Sequence, residues 1–165
     1  KINLMEELGD TLISVELCET SLIHRNGPIE QERRAAIRDL LTTNYFHVPR
    51  RKGKTYQGPY FLKLGIEEDR MIMIIEGQNK TPLEQFAFSL KPFKRVIKEY
   101  FLICESYNKA LIGGSLSKIE VLDISRRSTH NEGAEIFKTR IKDMVQVNLE
   151  TSRRLFTLIC VLHFR

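Results

Sequence analysis

No stretch of this sequence is long and apolar enough to cross a bilayer: the longest apolar run, Leu155 to Leu162, falls well short of the roughly 20 residues a spanning helix needs. Cysteine is scarce. Cys18, Cys104 and Cys160 are far apart and odd in number, which argues against a disulfide framework and for reduced thiols in a cytosol. Residues 1 to 9 lack the basic start, apolar run and cleavage site of a secretory leader, so the expected compartment is the cytoplasm, with no membrane partner. The sequence has no internal repeat, no phosphate-binding glycine loop, no dinucleotide fingerprint, no nucleophile elbow and no metalloprotease helix. These gaps remove the usual motif-based routes to nucleotide-dependent, acyl-transfer and zinc-dependent chemistry.

What is present is the composition of an ordinary globule. At 165 residues, 42% hydrophobic and 28% charged, the chain is the size of one domain able to bury its own core. Lys and Arg outnumber Asp and Glu by 26 to 21, a formal net charge of +5 that favours attraction to nucleic acid, nucleotides or an acidic partner. Because the two signs are interspersed along the whole length, much of this charge is expected in solvated ion pairs.

Periodicity divides the chain into a sheet-rich half, residues 1–90, and a helical half, residues 91–165. Thr11 to Leu17 alternates like a half-buried strand. A helix follows Asn26-Gly-Pro28, with Ile29, Ala36, Ile37, Leu40 and Leu41 on one face. Residues 46–59 read as a loop with the densest basic cluster, Arg50, Arg51, Lys52 and Lys54. Tyr60 to Ile66, Met71 to Glu76 and the segment around Phe86 and Phe88 form three strands joined by short turns, an antiparallel meander that the first strand can extend. From Pro92 to Leu111, Val96, Ile97, Tyr100, Phe101 and Cys104 recur at helical spacing, the stripe expected to pack on the sheet, and Gly113-Gly114 stops the helix. A second helix is expected from Ser117, in capping-box spacing with Glu120, to about Arg127; it breaks around His130 and resumes through Ala134, Phe137 and Ile141. Val145 to Leu149 suits a short strand. Thr151 is placed to cap a last helix, Ser152 to His163, apolar nearly all round and therefore buried. The fold class is α+β, one domain over residues 1–165: an antiparallel sheet of about four strands packed against four to five helices.

Some blocks are more specific than periodicity. Arg95-Val-Ile-Lys-Glu-Tyr-Phe-Leu-Ile-Cys-Glu-Ser-Tyr107, together with Glu30-Gln-Glu-Arg-Arg34, Gly58-Pro-Tyr60, His130-Asn-Glu-Gly133 and the segment from Arg153 to His163, resembles uncharacterised protein family 0262, alphaproteobacterial proteins of about this length. The resemblance covers nearly the whole chain; it implies a bacterial compartment and supplies no activity or catalytic residue. Family members tend to carry threonine where this chain has Lys91, before Pro92. A lysine there cannot accept from the first-turn amides, an expected loss of about 1 kcal/mol.

The most polar stretch of the helical half is Arg126-Arg127 followed by His130, Asn131 and Glu132. His130, Asn131 and Glu132 suit acid, hydrogen-bond donor and base, with the arginines as a bidentate anion clamp. A structural role is the cheaper account: Thr129 and Glu132 suit a capping box, Asn131 could itself cap, Gly133 permits close helix packing and His130 is hydrogen-bonded in place. Arg153 and Arg154 fall in the first turn of the expected last helix, where cations meet the positive end of the dipole. An anion held between the two arginine pairs would relieve that conflict, and so would a local carboxylate such as Asp143 or Glu150. Cys104, His130, Cys160 and His163 have zinc-ligand chemistry but supply only one close pair, so neither metal nor cofactor is expected. The aromatic side chains fall on core faces, which leaves no stacking platform for bases.

The function expected from sequence is a cytoplasmic, non-enzymatic binding module for an anionic ligand such as phosphate, a nucleotide or an RNA backbone. Its site would draw on Arg126, Arg127, His130, Asn131, Glu132, Arg153 and Arg154. The alternatives are an enzyme using His130 and Glu132 with the arginine clamp, and a protein-interaction subunit with an exposed apolar patch on the uncovered sheet face.

Overall fold

The computed structural model describes residues 9–18, 27–49 and 55–164. Asn26 and the basic cluster Arg50, Arg51, Lys52 and Lys54 lie outside the described residues. In chain order the elements are β1 (Leu12–Cys18), α1 (Gly27–Thr42), β2 (Phe46–His47), β3 (Tyr60–Glu67), β4 (Arg70–Glu76), β5 (Pro82–Ser89), α2 (Lys94–Gly113), α3 (Leu116–Ile141), β6 (Gln146–Val147) and α4 (Leu149–His163).

Alternation along β3 and β4 buries Tyr60, Leu62, Leu64, Met71, Met73 and Ile75 on one sheet face. The sheet runs β1-β3-β4-β5, and its last three strands form the expected antiparallel meander. The fourth strand differs: β1 lies parallel to β3, with Val15 opposite Leu62 and Leu17 opposite Leu64. The reason is the connection. α1 lies between β1 and β3 in sequence, and a crossover of that length returns the chain in the same direction. β2 and β6 make a separate two-stranded antiparallel ribbon, Phe46 opposite Val147.

The helices cover one face of the sheet, and the fold is the α+β domain the sequence implied. α4 is the innermost helix; Leu155, Phe156, Leu158, Ile159, Cys160 and Val161 are all buried. It packs against α1, α3 and β3, and each of its large apolar side chains contributes about 1.5–3 kcal/mol by leaving water.

Four local expectations are corrected. First, α3 runs unbroken through Thr129–Gly133, because this polar run contains no proline and its side chains find partners on neighbouring helices. Gly133 faces the Phe156 ring, where an added Cβ would overlap three ring atoms, so it serves close packing and no capping box forms there. The N-cap of α3 is Ser115, whose side chain makes no capping bond, in place of the expected Ser117. Second, α4 begins three residues early: Asn148 is its cap and accepts from Thr151 N at 2.9 Å. Arg153 and Arg154 therefore stand in the second turn, where the dipole conflict has largely faded, and Glu150 occupies the first turn. Third, α2 packs chiefly against α3 rather than the sheet. Tyr100 is buried while Phe101 is only half-buried, against Phe164 and the Tyr100 ring. Fourth, Lys91 is not at the cap: it opens a 3-10 turn, Lys91–Phe93, ahead of α2, and neither Leu90, which caps that turn, nor Phe93, which caps α2, supplies a side-chain capping bond, while the Lys91 N–H donates to Ser89 Oγ at 3.1 Å. The glycine stop holds: Gly114 has φ 71° and donates to the Ala110 carbonyl at 3.0 Å.

Candidate functional site

Four helices converge on His130. α1 supplies Glu32 and Asp39, α2 supplies Tyr100 and Cys104, α3 supplies Arg126 and His130, and α4 supplies Arg153, Arg154, Thr157 and Cys160. The four-residue spacings from Tyr100 to Cys104, Arg126 to His130 and Arg153 to Thr157 set each pair on one helix face.

The imidazole of His130 stacks on the Tyr100 ring, centroids 5.5 Å apart and planes 28° apart, with the Phe156 ring 6.0 Å away. Its Nε2 is hydrogen-bonded to Thr157 Oγ1. The Thr157 hydroxyl donates to the Arg153 carbonyl at 3.1 Å, so it accepts from His130, which fixes the proton on Nε2. Burial, then the charges of Arg153, Arg154 and Arg126, lower the His130 pKa to about 4. The ring is therefore neutral at physiological pH, and the charges acting on it are all arginines.

Around this centre the polar groups are matched. Tyr100 donates to Glu32 Oε2 at 2.7 Å, and burial drives the phenol pKa far upward, so it remains a donor. Glu32 Oε1 lies 3.6 Å from Arg126 Nη1, and Arg126 Nη2 donates to Asp123 Oδ1 at 3.0 Å while the guanidinium sits 4.6 Å over the Tyr107 ring. Arg153 Nη1 donates to Glu150 Oε1 at 2.8 Å, and Arg154 stands 3.7 Å from Glu150 and 3.8 Å from Asp39. One donor stands apart from this matching: Arg153 Nε is buried with no hydrogen-bond partner. Burial pushes the Cys104 thiol up to about 11 and Cys160 well above its usual value, so neither is a thiolate near neutrality. Among the described residues no group of three metal-ligating side chains assembles.

The structure thus brings together Arg126, His130, Arg153 and Arg154. It does not bring in the others. Arg127 pairs with Asp123 at 3.0 Å and points to solvent with 70% of its side chain exposed; Asn131 is exposed; and Glu132 is ion-paired with Arg95 of α2. Two residues along a helix are about 200° apart, which is why His130 and Glu132 face different neighbours and form no acid–base pair.

Glu32, Tyr100 and Thr157 were not legible as site residues. Tyr100 carried one signal, since a tyrosine inside a core stripe needs a partner for its hydroxyl; nothing local pointed to Glu32, 68 positions away. Tyr100→Phe is expected to cost about 2 kcal/mol in chemical denaturation, because it takes a hydrogen bond from a half-buried carboxylate. Glu32→Gln, which keeps an acceptor, should cost less, and equal losses would show that the bond is not the cause.

A second polar cluster lies beside β2 and the start of β3. His47 Nδ1 is 2.9 Å from Asp10 Oδ1 at a cleft of about 180 Å³ lined also by Tyr56, Gln57 and Tyr60. Burial, then Asp10 and Tyr56, push the Tyr60 phenol up to about 12. Gly58, at φ 99°, lets its segment cross Gly9 so closely that any Cβ would overlap the Gly9 carbonyl.

The fold and its histidine-centred cluster define a small α+β protein with a neutral histidine set among paired arginines and carboxylates between helices. The chain belongs to Uncharacterised protein family (UPF0262), which it matches over residues 9–165. It is 46% identical over 154 residues to a UPF0262 protein of Sphingopyxis alaskensis, with 93% of each chain covered. It is 45% identical over 151 residues to one from Cereibacter sphaeroides, covering 91% of this chain and 96% of that one, and 43% identical over 161 residues to one from Rhodospirillum rubrum, covering 96% and 97%. These relatives are alphaproteobacterial. No solved structure matches the chain. No helix among the described residues is long and apolar enough to cross a membrane.

Proposed function

We propose that this protein is a cytoplasmic, non-enzymatic binding module for a phosphate-bearing anion, seated on Arg126, Arg153 and Arg154 beside neutral His130. The observation that carries the reading is the buried, unpartnered Nε of Arg153. An orphaned buried donor costs about 1–3 kcal/mol, and a bound water or ion is the usual occupant of such a position. A phosphate oxygen accepting from it would also meet guanidinium donors not committed to carboxylates, since each arginine has five N–H groups. The three side chains retain 23–30% exposure, while Nε itself is sealed, so a ligand that accepts from it enters as the Arg153 side chain shifts. The compartment rests on the three cysteines, all free thiols. The separation of His130 from Glu132 supports binding over acid–base catalysis.

The test is thermal melting with inorganic phosphate, ATP and a short RNA at low and moderate salt. A ligand at 100 times its Kd stabilises by about 2.7 kcal/mol, so at least one of these should raise Tm by several degrees, less so as salt rises. Arg153→Lys keeps the charge and removes the Nε donor; it and Arg126→Ala should both lose the shift. Equal shifts in parent and variants, or none with any anion, would remove the site.

A further inference from the structure

Among the described residues, six of the eight exposed large apolar side chains belong to one hairpin, α2–α3: Leu102, Leu111, Ile112, Leu116, Val121 and Ile124, with Ile112 89% and Leu116 76% exposed. Single exposed aliphatics are ordinary, but a cluster of six on adjoining helices is not. The interaction surface that sequence placed on the open sheet face is offered here instead. Along α2, Leu102, Ser106, Lys109 and Gly113 recur at four-, three- and four-residue spacing, and along α3 Ser117, Val121 and Ile124 do the same, so each helix presents one continuous stripe.

A groove of about 720 Å³ runs between these flanks. Its lining includes the small residues Ala110, Gly113, Ser115 and Ser117, which let another backbone come close, with Val121 and Leu122 as the larger apolar side chains. The charged side chains in its lining are two lysines, Lys109 and Lys118, with no acid among them. Lys109 leans on Glu105 at 3.1 Å, outside the lining, and Lys118 has no ion pair among the described residues. An apolar trough bordered by cations fits an amphipathic helix whose apolar face enters the groove while its carboxylates meet the lysines. A second copy docked groove to groove would oppose like charges. We propose that the α2–α3 groove docks an acidic amphipathic helical segment of another protein.

The experiment uses the full chain and two fluorescent helical peptides sharing one leucine face, one with glutamates and the other with lysines on the opposite face. Anisotropy should show the acidic peptide binding at least about tenfold more tightly. Val121→Ser should weaken it by about tenfold, and Lys109→Glu with Lys118→Glu should invert the preference between peptides. All three positions are exposed, so Val121→Ser should leave Tm at the parent value and the charge reversal, which breaks the Lys109–Glu105 pair, should lower it only slightly, which guards against reading misfolding as lost binding. Equal affinity for the two peptides, no binding of either, or a preference unmoved by the charge reversal would overturn the proposal. So would a concentration-dependent dimer in sedimentation that Val121→Ser disperses, or binding to phosphatidylglycerol vesicles with the same dependence on Val121; these assign the groove to a second copy or to lipid.

Discussion

Replacing Gly133 with alanine should destabilise the protein by about 2–3 kcal/mol, even though alanine is the better helix former. Propensity alone would favour the change by about 1 kcal/mol in mid-helix. The contact decides the sign. An added Cβ would overlap three atoms of the Phe156 ring, and that ring is wholly buried between Tyr100 and His130, whose centroids lie 6.0 Å away. With no space to retreat, the ring must leave its rotamer or the helices must part, and overpacking of this kind costs about 1–3 kcal/mol and at times more. Urea denaturation of Gly133→Ala, Phe156→Leu and the double variant checks it. The smaller side chain should recover part of the loss, whereas strictly additive effects would show that the two residues do not oppose each other.

A second large effect is acid lability centred on His130. Its pKa falls from 6.5 to about 4 on folding, so as pH drops the unfolded chain takes up the proton first. The stability associated with the neutral ring is complete above pH 6.5, declines through the window down to about 4, and is constant below it. At 1.36 kcal/mol per unit the difference amounts to about 3 kcal/mol. Stability measured against pH for the parent and His130→Gln isolates it, since carboxylate titrations are common to both. The variant should lack the loss between pH 6.5 and 4, and parallel curves would mean that the ring is as free to protonate in the folded state as outside it. Phosphate bound beside the ring should raise the lower end of the window by offsetting the arginine charges, and so narrow it and shrink the loss.

The sequence carried the parts of the fold that depend on near neighbours. Alternation at Tyr60–Ile66 and Met71–Glu76 was readable because a meander buries one face of each strand in turn, and the Gly113-Gly114 stop was readable because a left-handed residue ends a helix whatever surrounds it. The direction of β1 was not, since parallel pairing is set by the path through α1. The polar run at Thr129–Glu132 looked like a break because its partners are remote: Thr157 for His130 and Arg95 for Glu132. Thr151 and Asn148 are both capping residues, and only the bond to the Thr151 amide distinguishes them. At the candidate site the arginine pairs were visible as pairs, but Arg126 and Arg127 share Asp123 and only Arg126 also turns inward to Glu32, and the carboxylates that hold Arg126 and Arg154 from α1 could not be assigned before the helices were placed.

The parallel seat of β1 also bears on how the chain is made. β1 leaves the ribosome before its partner in the sheet, the segment from Tyr60 to Gly65, which is translated only after α1 and β2. Throughout that interval the amides and carbonyls of the first strand have no mate in the sheet, while β4 and β5 each meet theirs within a short turn of emerging. β1 is therefore seated only once β3 has been translated, and until then neither of its two edges has a partner in the sheet.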